Sequence, residues 1–179
     1  MRAIALVALL APIWFSPAQA NSGCGFDQDN SGGLFATCDQ DDEKKEVILT
    51  GALDLAGLAQ QPHFSDNVAA YTPAAAPLAA LQQITTPTEI VVILGTWCPD
   101  CHRETPRLVK VLAEANNPNI SVKYIGVDRN KSDEQGLSAN YEFTRIPTFI
   151  INQNGAEVGR IIESTKVSTE QDLLDIITN

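Results

Sequence analysis

The 179-residue sequence predicts an α/β fold in which a central mixed sheet is flanked by helices and preceded by an N-terminal extension. Two continuous apolar runs, Ile90–Leu94 and Val122–Val127, are typical of strands buried on both faces. A helical pattern separates them, which indicates a parallel βαβ unit. Asn154-Gly155 is the strongest hairpin signal in the chain, and an amphipathic helix follows the hairpin.

The elements before the first buried strand rest on weaker patterns. Val47–Leu49 predicts a short edge strand. Residues 57–76 carry several Pro, Ala and Gly residues and predict a loop. Pro77 then fits the start of a helix that runs to about Ile84.

The later elements follow a clearer periodicity. After the first buried strand we expect, in chain order, a helix that the Asn116-Asn117-Pro118 stop ends, the second buried strand, a short helix over residues 133–141, and hairpin strands over residues 148–151 and 157–162. Ser168 with Gln171 three residues later forms a capping box for the last helix, whose apolar face begins at Leu173.

The first twenty residues have the pattern of a Sec signal peptide. Arg2 supplies the positive charge, Ile4–Leu10 begins the apolar segment, and Ala18-Gln19-Ala20 fits the cleavage site. The apolar stretch is shorter than the roughly 20 residues of a spanning helix. We therefore predict a periplasmic or secreted chain that begins at Asn21, without stable membrane insertion after signal removal. An uncleaved anchor and lipidation at Cys24 are the alternatives.

Three regions result: a signal peptide over residues 1–20, a mostly irregular extension over residues 21–76, and the α/β domain over residues 77–179. The formal charge is −10, from 22 acidic and 12 basic residues. With so few basic residues, nucleic acid and anionic membrane surfaces are poor partners.

The four cysteines fall into two pairs by spacing. In an exported chain we expect Cys24 and Cys38 to form a structural disulfide that staples the extension. Asp27, Asp29 and Ser31 match the start of a calcium loop. Because Cys38 stands where the last calcium ligand would be Glu, a solvated acidic loop is favoured over a calcium site.

Cys98 and Cys101 lie directly after a buried strand, where a helix begins. A cysteine in the first helical turn faces unpaired backbone N–H groups and the positive end of the helix dipole, and both lower its pKa. We therefore predict Cys98 as the nucleophile of a thiol–disulfide exchange and Cys101 as the thiol that resolves the mixed disulfide. Half of a zinc site is the alternative. A second ligand pair with suitable spacing is not evident, so we predict no metal.

The residues around this pair resemble the active-site stretch of TlpA-like and ResA-like thiol–disulfide oxidoreductases of thioredoxin fold. The matching residues are Gly95, Thr96, Trp97, Cys98, Cys101, Glu104, Pro106 and Leu108, then Ile125–Asp128, Ile146–Ile150 and Asn154-Gly155. The resemblance covers roughly residues 85–179. It implies a thioredoxin-like fold and a redox-active Cys98–Cys101 disulfide with no other cofactor.

The resemblance also implies roles for four further residues. Ile146-Pro147 matches the family's cis-proline dipeptide, which lies against the cysteines and receives the substrate. Trp97 is expected to shield the site and contact partners, with simple packing as the alternative. Glu104 lies one turn beyond Cys101 and would tune the proton transfers of the cysteines. A plain surface charge is the alternative for Glu104.

Two positions depart from thioredoxin itself. Val92 stands where thioredoxin has a buried Asp, which shifts the expected proton-acceptor role to Glu104. Asp100 places a negative charge near Cys98, and this charge should disfavour the thiolate and make the pair more reducing. We therefore predict a dithiol reductase of protein disulfides that draws electrons from an upstream thiol donor. A disulfide oxidase or isomerase and a non-enzymatic metal-binding module are the alternatives.

Overall fold

The computed structural model describes residues 47–179 and, before them, only the backbone of two short strands. These strands, β1 (Gly25–Gln28) and β2 (Leu34–Thr37), pair antiparallel. The extension, which the sequence predicts as mostly irregular, thus contains two short strands. The signal peptide, the Cys24–Cys38 disulfide and the calcium-like loop rest on residues or side chains outside the described set, and they stay predictions.

A second compact unit extends from Glu46 to Asn179 and contains a five-stranded mixed sheet. Its strands are β3 (Gly51–Leu53), β4 (Thr88–Leu94), β5 (Ile120–Gly126), β6 (Thr148–Gln153) and β7 (Ala156–Ile162), in the spatial order β3-β5-β4-β6-β7. Its helices are α1 (Leu55–Ala59), α2 (Phe64–Ala70), α3 (Ala75–Gln82), α4 (Pro99–Ala115) and α5 (Thr169–Thr178). The predicted mixed sheet flanked by helices is confirmed.

The central strand β4 fixes the core. It pairs in parallel with β5 and antiparallel with β6, and its residues 90–93 are all 0% exposed. A fully buried strand with neighbours on both edges requires the continuous β-branched and apolar run that the sequence shows. The following helix α4 turns Leu108 and Val111 into the same core. The end of β4, where the chain continues into α4, is therefore fixed by strand pairing on both edges and by the packing of α4 on the core.

The hairpin and the last helix form as predicted. Asn154 and Gly155 both have positive φ, 52° and 80°, as a two-residue turn between twisted strands requires. The Gln171 N–H donates to Ser168 Oγ at 3.3 Å and caps α5. The Gln171 side chain donates instead to Asp175 at 2.7 Å, so only half of the predicted capping box forms.

The region before β4 differs from its prediction. The edge strand lies at residues 51–53 rather than 47–49, because the Leu49 N–H donates to the Thr96 hydroxyl instead of to a strand. The predicted loop over residues 57–76 is wrong, since it contains most of α1, all of α2 and the start of α3. Asp54 Oδ1 caps α1 at 2.7 Å, and the side chains of Leu58 and Phe64 are buried. The compact unit thus includes residues that the sequence assigns to the extension.

The helix predicted over residues 133–141 is also wrong, apart from a single 3-10 turn at Ser138–Asn140. The Asp133 carboxylate accepts the backbone N–H groups of Leu137 and Ser138, and Gly136 has a positive φ of 67°. A short acidic side chain that binds nearby backbone donors competes with helix formation. None of the helices in the described part of the chain has the length and hydrophobicity for a membrane crossing.

A buried carboxylate joins α5 to the segment between α2 and α3. Glu170 is 2% exposed and accepts hydrogen bonds from the Tyr71 hydroxyl at 2.7 Å and the Ala74 N–H at 2.9 Å. Burial acts to raise the pKa of Glu170, but the hydrogen bonds from Ala74 and Tyr71 outweigh it and the pKa lies below its ordinary value. The ionised form of Glu170 therefore stabilises the fold.

We expect Glu170→Gln to lower the free energy of unfolding at pH 7 by about 1–3 kcal/mol, because a charged acceptor of two hydrogen bonds is lost. A folded-state pKa below the unfolded value means that this contribution is present above about pH 4.3 and is lost as the pH falls through the folded pKa. Urea unfolding at several pH values measures it. The matched change Glu114→Gln, in an exposed pair with Lys110, should cost less than about 0.5 kcal/mol. Equal losses in the two variants would contradict the assignment.

Candidate active site

The turn between β4 and α4 brings the two cysteines together. The Cys98 N–H donates to the Gly95 carbonyl at 3.0 Å, and the Gly95 N–H donates to Cys101 Sγ at 3.3 Å. A Cβ atom on Gly95 would lie 2.8 Å from the Trp97 ring and 2.9 Å from Ile146 Cδ1. Because both contacts are too close for a real side chain, only glycine allows this approach.

Cys98 is the N-cap residue of α4, and Pro99 follows at the first helical position. Cys98 is 7% exposed, and Cys101, one turn further along, is 2% exposed. Both are free thiols, not joined by a disulfide. The structure thus places both predicted redox residues in one site, one helical turn apart, with Cys98 the more accessible.

The surroundings separate the acidities of the two thiols. The hydrogen bond from Cys101 lowers the pKa of Cys98 most; backbone N–H groups of Cys101 and Asp100 add to it, and together they outweigh burial to give a value of about 6. The bond to Cys98 and burial raise the pKa of Cys101. The Asp100 charge does disfavour the Cys98 thiolate, as predicted, but it is the smallest of these effects.

The residues predicted to contact the substrate lie close to Cys98. The Ile146–Pro147 peptide bond is cis, and the Cys98 thiol lies 3.7 Å from the Ile146 carbonyl oxygen. Trp97 is half-buried, and its Nε1–H donates to the Val127 carbonyl at 3.0 Å. The Arg129 guanidinium lies 5.0 Å from the centre of the Trp97 ring. Trp97 is therefore anchored to the domain by its hydrogen bond, while part of its side chain stays exposed next to Cys98.

Glu104 is not a surface charge, because it is 2% exposed. Its Oε1 accepts hydrogen bonds from Arg103 Nε at 2.6 Å and Arg107 Nη1 at 3.2 Å, while Oε2 has no hydrogen-bond partner among residues 47–179. Neither oxygen is bonded to a cysteine. Val92, the position without thioredoxin's Asp, is completely buried. The role of Glu104 in proton transfer stays a prediction, and its observed contacts are to arginines.

Three residues without an assigned role in the sequence hold the site in place. His102 Nε2 lies 2.5 Å from the Thr96 carbonyl oxygen, just before the cysteine motif. Asn67 Nδ2 donates to the His102 carbonyl at 2.9 Å. Asn67 belongs to α2, in the segment predicted as a loop, so no local pattern points to this contact. Thr96 and His102 are close in sequence, but their hydrogen bond depends on the turn itself.

The described part of the chain contains no group of three or more His, Cys, Asp or Glu side chains placed to hold a metal ion. The fold and the reduced cysteine pair at a helix N-terminus define a protein of the thioredoxin-fold class. The family model described as thioredoxin matches residues 56–173. The chain belongs to the thioredoxin family of thiol–disulfide oxidoreductases; whether it falls in the TlpA-like and ResA-like subgroup stays a prediction.

Known relatives are similar over about half of the chain. A thioredoxin of Chlamydia pneumoniae is 32% identical over 41% of this chain and 66% of its own length. A bifunctional thioredoxin reductase/thioredoxin of Mycobacterium leprae is 30% identical over 50% of this chain and 19% of its own length. The chain thus spans less than two thirds of each of these proteins. A Pseudomonas aeruginosa protein of unknown function shares the fold, with a TM-score of 0.53, 18% identity, and coverage of 71% of this chain and 90% of that one.

We expect the thiol of Cys98 to ionise with a pKa of about 6, since the neighbouring thiol and backbone N–H groups stabilise its thiolate. Cys101→Ala removes the largest of these contributions and should raise the pKa of Cys98. Cys101→Ser keeps a donor at the same position and should raise it less. The pH dependence of the alkylation rate with iodoacetamide measures the thiolate fraction. An unchanged pKa in Cys101→Ala would contradict the assignment.

Proposed function

We propose that this protein reduces disulfide bonds in partner proteins, with Cys98 as the attacking residue and Cys101 as the resolving residue. The observation that carries the proposal is the placement of Cys98 at the N-cap of α4 with Cys101 one turn further along, where the pKa of Cys98 is lowered and that of Cys101 is raised. Family membership supports the reaction class. The cis-proline segment beside Cys98 supports a role for Ile146 and Pro147 in receiving the substrate.

The first step is the attack of the Cys98 thiolate on a substrate disulfide. A bond forms between Cys98 Sγ and one substrate sulfur, the substrate S–S bond breaks, and the other substrate sulfur leaves as a thiolate that takes a proton from solvent. Since the pKa of Cys98 is about 6, most of the Cys98 thiol is ionised at neutral pH. The step therefore needs no separate base at Cys98.

The second step is the attack of Cys101 on the mixed disulfide. The bond to the Cys98 sulfur is the largest cause of the raised pKa of Cys101. Once Cys98 is bonded to the substrate, it no longer carries negative charge, and Cys101 becomes easier to ionise. Cys101 gives its proton to water and its sulfur bonds to Cys98 Sγ as the bond between Cys98 and the substrate breaks. The second substrate sulfur leaves as a thiolate that takes a proton from solvent. Two electrons pass from the cysteine pair to the substrate, and the enzyme is left as a Cys98–Cys101 disulfide.

The thiol acidity supports the reducing direction. A pKa of about 6 for Cys98 lies closer to that of thioredoxin, about 7, than to that of the oxidase DsbA, about 3.5. The more a protein stabilises its thiolate, the more strongly its disulfide oxidises others. A dithiol protein must then return two electrons to the Cys98–Cys101 disulfide in each cycle, and we propose such an upstream donor.

We also propose that the protein works in the periplasm or outside the cell, from the signal-peptide pattern of residues 1–20. A reductase in such a compartment has many disulfide substrates, because thiols there are usually oxidised. When the chain is expressed in a bacterium, the first residue of the mature protein should be Asn21 and the protein should fractionate with the periplasm or the medium. Amino-terminal sequencing of the purified chain checks this, and an intact Met1 would overturn it.

Cys98→Ser should abolish the reduction of a protein disulfide, because a hydroxyl cannot replace the thiolate. Cys101→Ser should instead accumulate a mixed disulfide between Cys98 and the substrate, because the resolving thiol is missing. Turnover with dithiothreitol as donor, and mass spectrometry of the trapped adduct, measure the two effects.

Normal turnover in Cys98→Ser would refute the role of Cys98. The reduction potential of the wild-type pair tests the direction separately. A value near about −270 mV, as in thioredoxin, supports a reductase, and one near about −120 mV would make the protein an oxidase with the same cysteine roles.

A further inference from the structure

A cavity between α2 and the first turns of α4 opens beside the cysteine motif. We propose that it binds a carboxylate side chain of the substrate protein, close in sequence to the disulfide that Cys98 attacks. Arg107 is the residue that recognises this carboxylate. The inference rests on the proposed disulfide reduction and adds a substrate class to it: disulfides flanked by an acidic residue.

The cavity has a volume of about 290 Å³ and is lined by Asn67, Ala70, Tyr71, Pro99, His102, Arg103 and Arg107. Its wall includes Pro99, the residue that follows Cys98, so the cavity adjoins the cysteine motif. Sites for whole small molecules are usually about 300–1,000 Å³. This cavity is at the lower limit of that range, and it has room for a single side chain.

Arg107 is held in place before any substrate arrives. Its Nη1 donates to the buried Glu104 carboxylate at 3.2 Å, and its guanidinium lies 5.5 Å from the centre of the Tyr71 ring. Tyr71 is itself fixed by its hydrogen bond to Glu170. A side chain fixed in this way loses little conformational freedom on binding a ligand, so more of the interaction contributes to affinity.

Two donor groups of Arg107 are not used by the hydrogen bond to Glu104, and they are the pair that best binds a carboxylate. Its Nε and Nη2 groups make no hydrogen bond to the described residues, and together they form the fork that binds a carboxylate through two parallel hydrogen bonds. Arg103, on the same wall, uses its Nε on Glu104 and its Nη1 on Asp100, so it does not keep the pair of Nε and Nη2 donors that forms this fork. The charges of the two arginines are thus matched by two carboxylates, and recognition depends on the free fork of Arg107 rather than on net charge.

The geometry also limits where the acidic residue can be. Arg107 is nine residues after Cys98, so its Cα lies roughly 13 Å further along the helix axis. Helical side chains tilt toward the N-terminus, which brings the guanidinium closer to Cys98 than its Cα. An extended peptide advances about 3.3 Å per residue. The carboxylate should therefore lie roughly two to four residues from the attacked cysteine.

Two disulfide-bonded peptides test the proposal, identical except for Glu or Gln three residues from the attacked cysteine. The wild-type protein should reduce the Glu peptide with a kcat/KM roughly tenfold higher than the Gln peptide, the effect of one good charge-assisted bidentate contact. Arg107→Gln should bring this ratio close to one. Arg107→Lys, which keeps the charge but loses the fork, should give a ratio nearer to that of Arg107→Gln than to that of the wild type.

The ratio compares two substrates of the same protein sample, so a partly unfolded variant does not distort it. Lys110→Gln is the matched control, since Lys110 is a cation on the same helix that pairs with Glu114 and does not line the cavity. Its ratio should equal that of the wild type. A wild-type protein that reduces neither peptide would refute the proposed function itself. Equal reduction of both peptides, or a preference that survives in Arg107→Gln or is lost in Lys110→Gln, would overturn the carboxylate site alone.

Discussion

The chemistry of this protein depends on how close Cys98 and Cys101 are held at the start of α4, because the Cys101 thiol is the largest cause of the lowered pKa of Cys98. The two residues are held there because a fully buried strand ends at a fixed point and a helix begins after four intervening residues. Strand β4 is paired on both edges, so its carboxyl end cannot shift without breaking two ladders. Gly95 then lets the chain turn tightly enough for its own N–H to reach Cys101 Sγ. The fixed end of β4 therefore also fixes the positions of the two cysteine sulfurs.

The same proximity makes the acidities of the two thiols different even though they share one turn of helix. Burial alone would raise the pKa of both, because it disfavours any charged form. Cys98, at the helix N-cap, receives donors from the neighbouring thiol and from two backbone N–H groups, and these outweigh its burial. Cys101 is buried further and provides the donor, so it stays protonated. The pair can therefore hold one negative charge at a defined atom, which is the state that begins a disulfide exchange.

The sequence predicts the elements whose signals are local and misses those that depend on tertiary contacts. The continuous apolar run predicts strand β4, and the Asn-Gly dipeptide predicts the turn at Asn154-Gly155. The position of Cys98 at a helix start follows from the strand before it. Helices α1 and α2 are short and rich in Ala, and they are stabilised by the burial of Leu58 and Phe64. Helices this short have no repeating apolar pattern from which the sequence could predict that burial. Glu104 was predicted to share a face with Cys101. Its pairing with Arg107, three residues later, follows from the same helical spacing and could have been read from the sequence.

The segment over residues 57–76, which the sequence predicts as a loop, forms one wall of the proposed carboxylate site. Glu170 on the last helix binds the Tyr71 hydroxyl, and the Tyr71 ring in turn supports the guanidinium of Arg107. A buried carboxylate far along the chain from the cysteines thus helps to fix Arg107 in the cavity wall. In the proposed reaction the cysteine turn supplies the chemistry, and the proposed carboxylate site on the α2 side supplies the choice of substrate. The two parts meet at Pro99, which belongs to the motif and to the cavity wall. We therefore expect sequence changes in α2 and α5 to alter which disulfides are reduced while the acidity of Cys98 stays the same.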